Sequence, residues 1–138
     1  MENIIDSGPS PLIVNIENSS TENTNYRTTL WTGKNLQITL MAINPGEDIG
    51  LEVHPDHDQF LRIEQGQAIV QMGPDKNQLQ DRHAGPDDAV VVPAGTWHNL
   101  KCESGDALKL YSIYAPVQHP HGTVHITKDE AEKAEAGE

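Results

Sequence analysis

The chain has 138 residues and a mass of 15.2 kDa, enough for one domain with its own core. Nine basic residues against twenty-one acidic ones give a formal net charge of -12, which argues against DNA, RNA and anionic membranes as partners, since each needs a positive surface. A single cysteine, Cys102, excludes an internal disulfide and any Cys-rich zinc site, and points to a reducing, cytoplasmic compartment.

Residues 1–6 are polar and acidic, without the basic and apolar stretches of a secretory signal. No apolar run approaches the roughly 20 residues a membrane span needs. Pro9 and Pro11 precede a short apolar stretch, 12–16, that reads as a first strand. Residues 18–25 are almost wholly Asn, Ser, Thr and Glu and read as a loop. Stretches 26–31 and 36–43 read as a hairpin around Gly33. Pro45-Gly46 interrupts the pattern, and 49–54 then alternates, with Ile49, Leu51 and Val53 on one face and Gly50, Glu52 and His54 on the other. After a turn at 55–58, stretches 59–63 and 67–72 flank Gln65-Gly66 as a second hairpin. Residues 73–85 are polar and irregular. Stretches 89–92, 97–102 and 108–114 bring the total to roughly nine or ten short strands, the pattern of an all-β sandwich or barrel. Thr127-Lys128-Asp129-Glu130 then fits a capping box ahead of an Ala/Glu/Lys run to Ala136, a short helix expected to be a solvated tail. The organisation expected is a single domain over 1–138, with its core at about 12–116 and a tail at 117–138.

Seven histidines is a high count for this length. His54 and His57 cluster, as do His119 and His121; His98 and His125 stand in ordered stretches, and His83 lies in an expected loop. Glu52 and His54, two apart on a strand, point the same way and lie close enough to share one ion. The plainer reading of that strand puts Ile49, Leu51 and Val53 in the core and leaves Glu52 and His54 to water.

The wider spacing favours the ion. The chain runs Gly46, five residues, Glu52, one residue, His54, four residues, Gln59, six residues, Gly66, and later Pro93-Ala94-Gly95-Thr96-Trp97-His98. This resembles the two motifs of the cupin superfamily: a Gly-led His-x-His followed by Glu and Gly, then Pro-x-Gly-x-x-His. The resemblance covers about residues 36–115. It implies a double-stranded β-helix, the cupin jelly-roll barrel, with a metal in its mouth. Carried over position by position, the ligands are Glu52, His54, Gln59 and His98. Two of them depart from the family: a carboxylate replaces the first His, and an amide replaces the Glu. Asp87 also stands where the second motif usually begins with Gly. Two His, one Glu and one Gln are nonetheless similar to the ligand set of the phosphomannose isomerases, with Glu and Gln exchanged. Mixed nitrogen and oxygen donors without a thiolate suit one divalent transition metal: Zn, Mn, Fe, Co or Ni.

His57, on the turn after His54, is the candidate proton donor or base; a fifth ligand and a solvated side chain are its other readings. Trp97 reads as core, and Cys102 as a small buried residue. Segment 118–125, with His119, His121 and His125, either folds back over the barrel, packs on another subunit or forms a surface loop. The function expected is metal-dependent isomerase- or lyase-type chemistry on a small hydroxy-carbonyl or sugar-like substrate. An Fe(II) dioxygenase and a non-enzymatic binding or storage cupin are the alternatives. A phosphorylated substrate is disfavoured, because near the motif only Arg62 is basic and alternation points it away from Gln59. If Glu52 and His54 face the lumen, Ile49, Leu51 and Val53 form an apolar stripe outside, to be covered by the N-terminal strand or a second subunit; a homodimer is expected.

Overall fold

A computed structural model describes residues 5–136; residues 1–4 of the acidic N-terminal stretch, and 137–138, lie outside it. In chain order the elements are α1 (Ile16–Glu22), β1 (Arg27–Thr32), β2 (Gln37–Ile43), β3 (Asp58–Gln65), β4 (Ala68–Gly73), β5 (Gln80–Ala84), β6 (Ala89–Val92), β7 (Trp97–Cys102), β8 (Leu108–Ala115), β9 (Val124–His125) and α2 (Lys128–Ala136). The strands form two antiparallel sheets, ordered β6-β3-β8-β2-β1-β9 and β5-β4-β7. This is the expected all-β jelly-roll barrel with a short C-terminal helix. No helix among the described residues is long and apolar enough to cross a membrane.

Residues paired across an antiparallel sheet point to the same face. The registers therefore place Gln37, Tyr114, Gln59 and Val92 in one inward layer. Thr29, Thr39, Ser112, Leu61 and Val90 form the next. His125, Arg27, Met41, Leu110 and Ile63 form the third. The facing sheet adds Met72 beside His98, Val70 beside Leu100 and Ala68 beside Cys102. One end of the lumen is thus apolar, the buried cluster of Ile43, Leu61, Ile63, Leu100, Leu108 and Leu110. The other end collects buried polar side chains: Gln37, Thr39, Gln59, His98, Ser112 and His119.

Several local expectations are corrected. Residues 11–15 form no strand, and α1 occupies most of the expected loop at 18–25. Asn15 is the reason: its side chain accepts the Asn18 N–H and starts the helix, with Glu17 in the first turn. Residues 49–54 are not a regular strand but two isolated bridges, Asp48 to Lys101 and Glu52 to His98. Gly50, at φ 88°, breaks the alternation between them. Ile49 packs on the core while Leu51 is 42% exposed, so the expected outer stripe of Ile49, Leu51 and Val53 does not form. Strands β3 and β4 do not pair as a hairpin; the chain changes sheets at Gly66, φ 91°, where a Cβ would meet the Ala107 carbonyl and Leu108 Cα at 3.0 Å. Strand β5, which contains His83, lies within the stretch read as irregular. The C-terminal helix is docked, not a solvated tail. Half of its capping box forms as expected, with Thr127 Oγ1 accepting the Glu130 N–H at 3.1 Å, while Glu130 Oε2 accepts the N–H of Ile126 in place of that of Thr127, at 3.0 Å, and Ala131 is 2% exposed in the core. Lys128 pairs with Asp48 and Glu135 with Arg27.

Candidate metal centre

Glu52, His54 and His98 converge at the polar end of the barrel, each offering one ligand atom, all within 4.8 Å of one another. Backbone pairing sets this up. Glu52 and His98 exchange both hydrogen bonds across their bridge, at 3.0 and 2.9 Å. Gly95 N–H donates to the His54 carbonyl at 3.0 Å, which ties the Pro-Ala-Gly turn to the first motif. Glu52 Oε1 lies 3.3 Å from His54 Nε2 and 3.5 Å from His98 Nε2. Burial opposes ionisation of Glu52, but the two imidazoles outweigh it and hold its pKa down to about 2.

His98 is fully buried. Its Nδ1 faces the Thr96 carbonyl at 3.1 Å and must donate to it, which leaves Nε2 as the nitrogen available to a ligand. That Nε2 makes no hydrogen bond. Gln59 repeats the arrangement with an amide: Nε2 donates to Ser112 Oγ at 2.8 Å, and the buried Oε1 has no partner. Gln59 sits in register with Tyr114, whose ring meets the His54 ring at 5.8 Å. Two imidazoles and a carboxylate, with an unpaired amide oxygen on the adjoining strand, fit a first-row divalent cation.

His57 Nε2 donates to the Val117 carbonyl at 3.1 Å, and its buried Nδ1 has no partner. Its ring lies 5.9 Å from that of His54. Segment 118–125 folds back over the barrel. Gln37 clamps it, accepting the His119 N–H at 2.9 Å and donating to the His119 carbonyl at 2.8 Å. The His119 ring is edge-on to Tyr114 at 5.3 Å, and its Nε2 is buried without a partner. Burial and then the Arg27 charge push its pKa down to about 3, so the ring is neutral. Burial pushes the Tyr114 hydroxyl up to about 12.

Sequence reading missed Arg27, Thr39, Gln37 and Tyr114 as lumen residues. The signal was present: Gln37 and Thr39 alternate in phase with Met41 and Ile43, and Ser112 and Tyr114 with Leu108 and Leu110. A separate cleft of about 420 Å³ opens between the unpaired edges of β5 and β6, lined by Val70, Met72, Arg82 and Val91, and does not include the Glu52–His54–His98 cluster.

A two-sheet antiparallel barrel with a His/Glu cluster at its polar end defines a cupin with a possible metal site. The Cupin domain family matches residues 39–114, and the chain belongs to that family. It is 57% identical over 131 residues to the uncharacterised protein YrkC of Bacillus subtilis, covering 94% of this chain and 70% of that one. The crystal structure of BH2720 from Bacillus halodurans is similar with a TM-score of 0.93 and 53% identity, covering 94% of this chain and 99% of that one. KdgF from Halomonas sp. shares the fold, with a TM-score of 0.59 at 23% identity over 67% of this chain and 80% of that one.

Proposed function

We propose that the chain is a metal-dependent small-molecule cupin with isomerase- or lyase-type chemistry on a small hydroxy-carbonyl or sugar-like substrate. The observation that carries this reading is the buried His98 Nε2, without a hydrogen-bond partner, beside Glu52 and His54. Glu52, His54 and His98 would hold one Zn, Mn, Fe, Co or Ni ion, with Gln59 Oε1 as a fourth donor. When bound, such an ion supplies Lewis-acid polarisation of a carbonyl. His57 Nδ1, the ring nitrogen left without a partner while Nε2 donates to Val117, is the group that takes a proton from the carbon beside that carbonyl and returns it. Tyr114, buried and protonated, walls the site and keeps water from the transfer.

The first test is metal content. Wild type should purify with, or take up, about one equivalent of a first-row ion, and His98→Ala should lose it with the β-sheet signature intact. A His98→Ala protein that keeps full occupancy would contradict the assignment. The second test is exchange. Loaded protein in deuterated water should move deuterium onto the α-carbon of a hydroxy-carbonyl substrate, and His57→Ala should slow this by about 10²-fold or more. Oxygen uptake by the Fe(II) form, without exchange, would favour a dioxygenase instead.

A further inference from the structure

Two surface features lie toward opposite ends of the six-stranded sheet, and each lacks a partner within the chain. The first is the edge at β6. Among the described residues β6 pairs only with β3, and β5 only with β4, so each leaves one row of backbone N–H and C=O groups without a strand beside it. Such edges are usually guarded by charge, Pro or a bulge. Strand β5, Gln-Asp-Arg-His-Ala, is guarded by charge; β6, Ala-Val-Val-Val, is not, and its Val91 is exposed. The cleft of about 420 Å³ opens beside it, with Val70 and Met72 on its apolar wall. The charges lining that cleft balance, one Arg82 to one Asp88, and its His83 already meets Glu103 at 3.1 Å.

The second feature is segment 11–15, Pro-Leu-Ile-Val-Asn, within a stretch, 7–16, that carries no charge. Residues 11–14 make no backbone hydrogen bond among the described residues. Leu12 and Val14 are partly covered, while Ile13 between them is wholly exposed, so alternation turns Ile13 away from its own molecule. This is strand-forming sequence without a sheet. It cannot reach its own cleft. The Ser10 carbonyl is fixed by Trp31 Nε1 of β1 at 2.7 Å, and β1 stands four strands from β6. That is about 19 Å along the sheet, whereas Ile13, three residues after Ser10, extends about 10 Å at most.

We propose that segment 11–15 of one copy adds as an edge strand to β6 of a second copy, with Ile13 entering the cleft between Val70, Met72 and Val91. Charge selects this occupant. Most of the surface of a chain with a net charge of -12 repels a second copy, but an uncharged segment meeting a cleft of balanced charge does not. The outer face supplies the symmetry. An apolar row crosses it from Val91 on β6, through Phe60, Ile113 and Ile38, to Trp31 on β1. A two-fold axis parallel to the strands, at the middle of that row, lays the Trp31 end of one copy over the Val91 end of the other. The segment anchored at Trp31 then arrives at the partner's open edge. Each copy gives one segment and receives one, so the assembly closes as a dimer.

The test is sedimentation velocity of the full chain. Wild type should be a dimer at micromolar concentration. Ile13→Asp and Val91→Asp should each weaken dimerisation at least tenfold, because each places an unpaired carboxylate in the junction. Sheet circular dichroism and metal content should not change. Mixed in equal amounts, the two variants should associate more tightly than either alone. The mixed pair keeps one intact exchange, the unaltered segment of the Val91→Asp chain in the unaltered cleft of the Ile13→Asp chain. A monomeric wild type, or an Ile13→Asp dimer as tight as wild type, overturns the exchange. So does a mixture that associates no better than its parts, and so does open-ended polymerisation, which needs head-to-tail addition. If Val91→Asp fails to fold, a synthetic peptide of residues 9–17 replaces it: the peptide should bind the Ile13→Asp chain, and absence of binding overturns the exchange.

Discussion

Asp6 pins three stretches of chain with one carboxylate. It accepts the N–H groups of Gly8, Thr32 and Gly122, each at 3.0 Å, and lies 3.3 Å from His121 Nε2. Burial pushes its pKa up, but the bonds from Thr32, Gly122, Thr29 and Gly8 outweigh burial and leave it below the usual carboxylate value. A depressed folded-state pKa contributes stability that is present above the unfolded value, near 4, and lost as pH falls through the lower folded one. Asp6→Asn should therefore cost about 1–3 kcal/mol at pH 7 and markedly less near pH 3, measured by urea unfolding at both. A pH-independent difference would mean that shape, not charge, holds the three stretches. At this scale the metal candidates were legible because side-chain spacing along one motif survives folding. Glu52, His54 and His98 meet as the two motifs imply. Arg27 was not legible, since it becomes a lumen residue only through pairing with β2 and with β9 far along the chain.

The elements show the same division. Hairpin β1–β2 and strands β6, β7 and β8 follow directly from alternation and turn residues. Helix α1 does not, because seven polar-rich residues with a good N-cap look like a loop until β2, β3 and β8 offer a surface to pack on. The β3–β4 corner was hidden because a hairpin and a sheet change share the same Gly-centred break. The segment carrying Glu52 and His54 is the instructive case. Gly50 at φ 88° lets Ile49 turn into the core and still brings Glu52 into its bridge with His98. Nothing lies within 4 Å of a Cβ placed there, so Gly50→Ala carries only backbone strain, about 1–2 kcal/mol. We expect that loss in thermal unfolding, together with a metal affinity at least tenfold weaker, because the strain is relieved by shifting Glu52. Unchanged metal affinity at reduced stability would place the strain elsewhere.

For the whole molecule the open question is what covers the outside of the six-stranded sheet. The expected stripe of Ile49, Leu51 and Val53 is absent, but the registers assemble another. Val91 pairs with Phe60, Phe60 with Ile113, Ile113 with Ile38, and Ile38 with Trp31. These five residues form one apolar row across β6, β3, β8, β2 and β1, on the face opposite the lumen. Val91 is 60% exposed, and beside α1 the unpaired segment 11–15 leaves Ile13 wholly exposed. In a chain with a net charge of -12, an uncharged row is where two copies approach at least electrostatic cost. A two-fold axis lets the row meet itself, burying on the order of 1 kcal/mol per side chain on each copy. We therefore expect a homodimer of the 15.2 kDa chain at micromolar concentration by sedimentation velocity. Phe60→Glu should dissociate it, because each new carboxylate would be buried against its own copy. Its metal content should not change, since Phe60 points away from the lumen while Gln59 points in. A wild type that sediments as a single chain would mean that the row is covered by nothing larger than segment 11–15, and the site would then belong to a monomer.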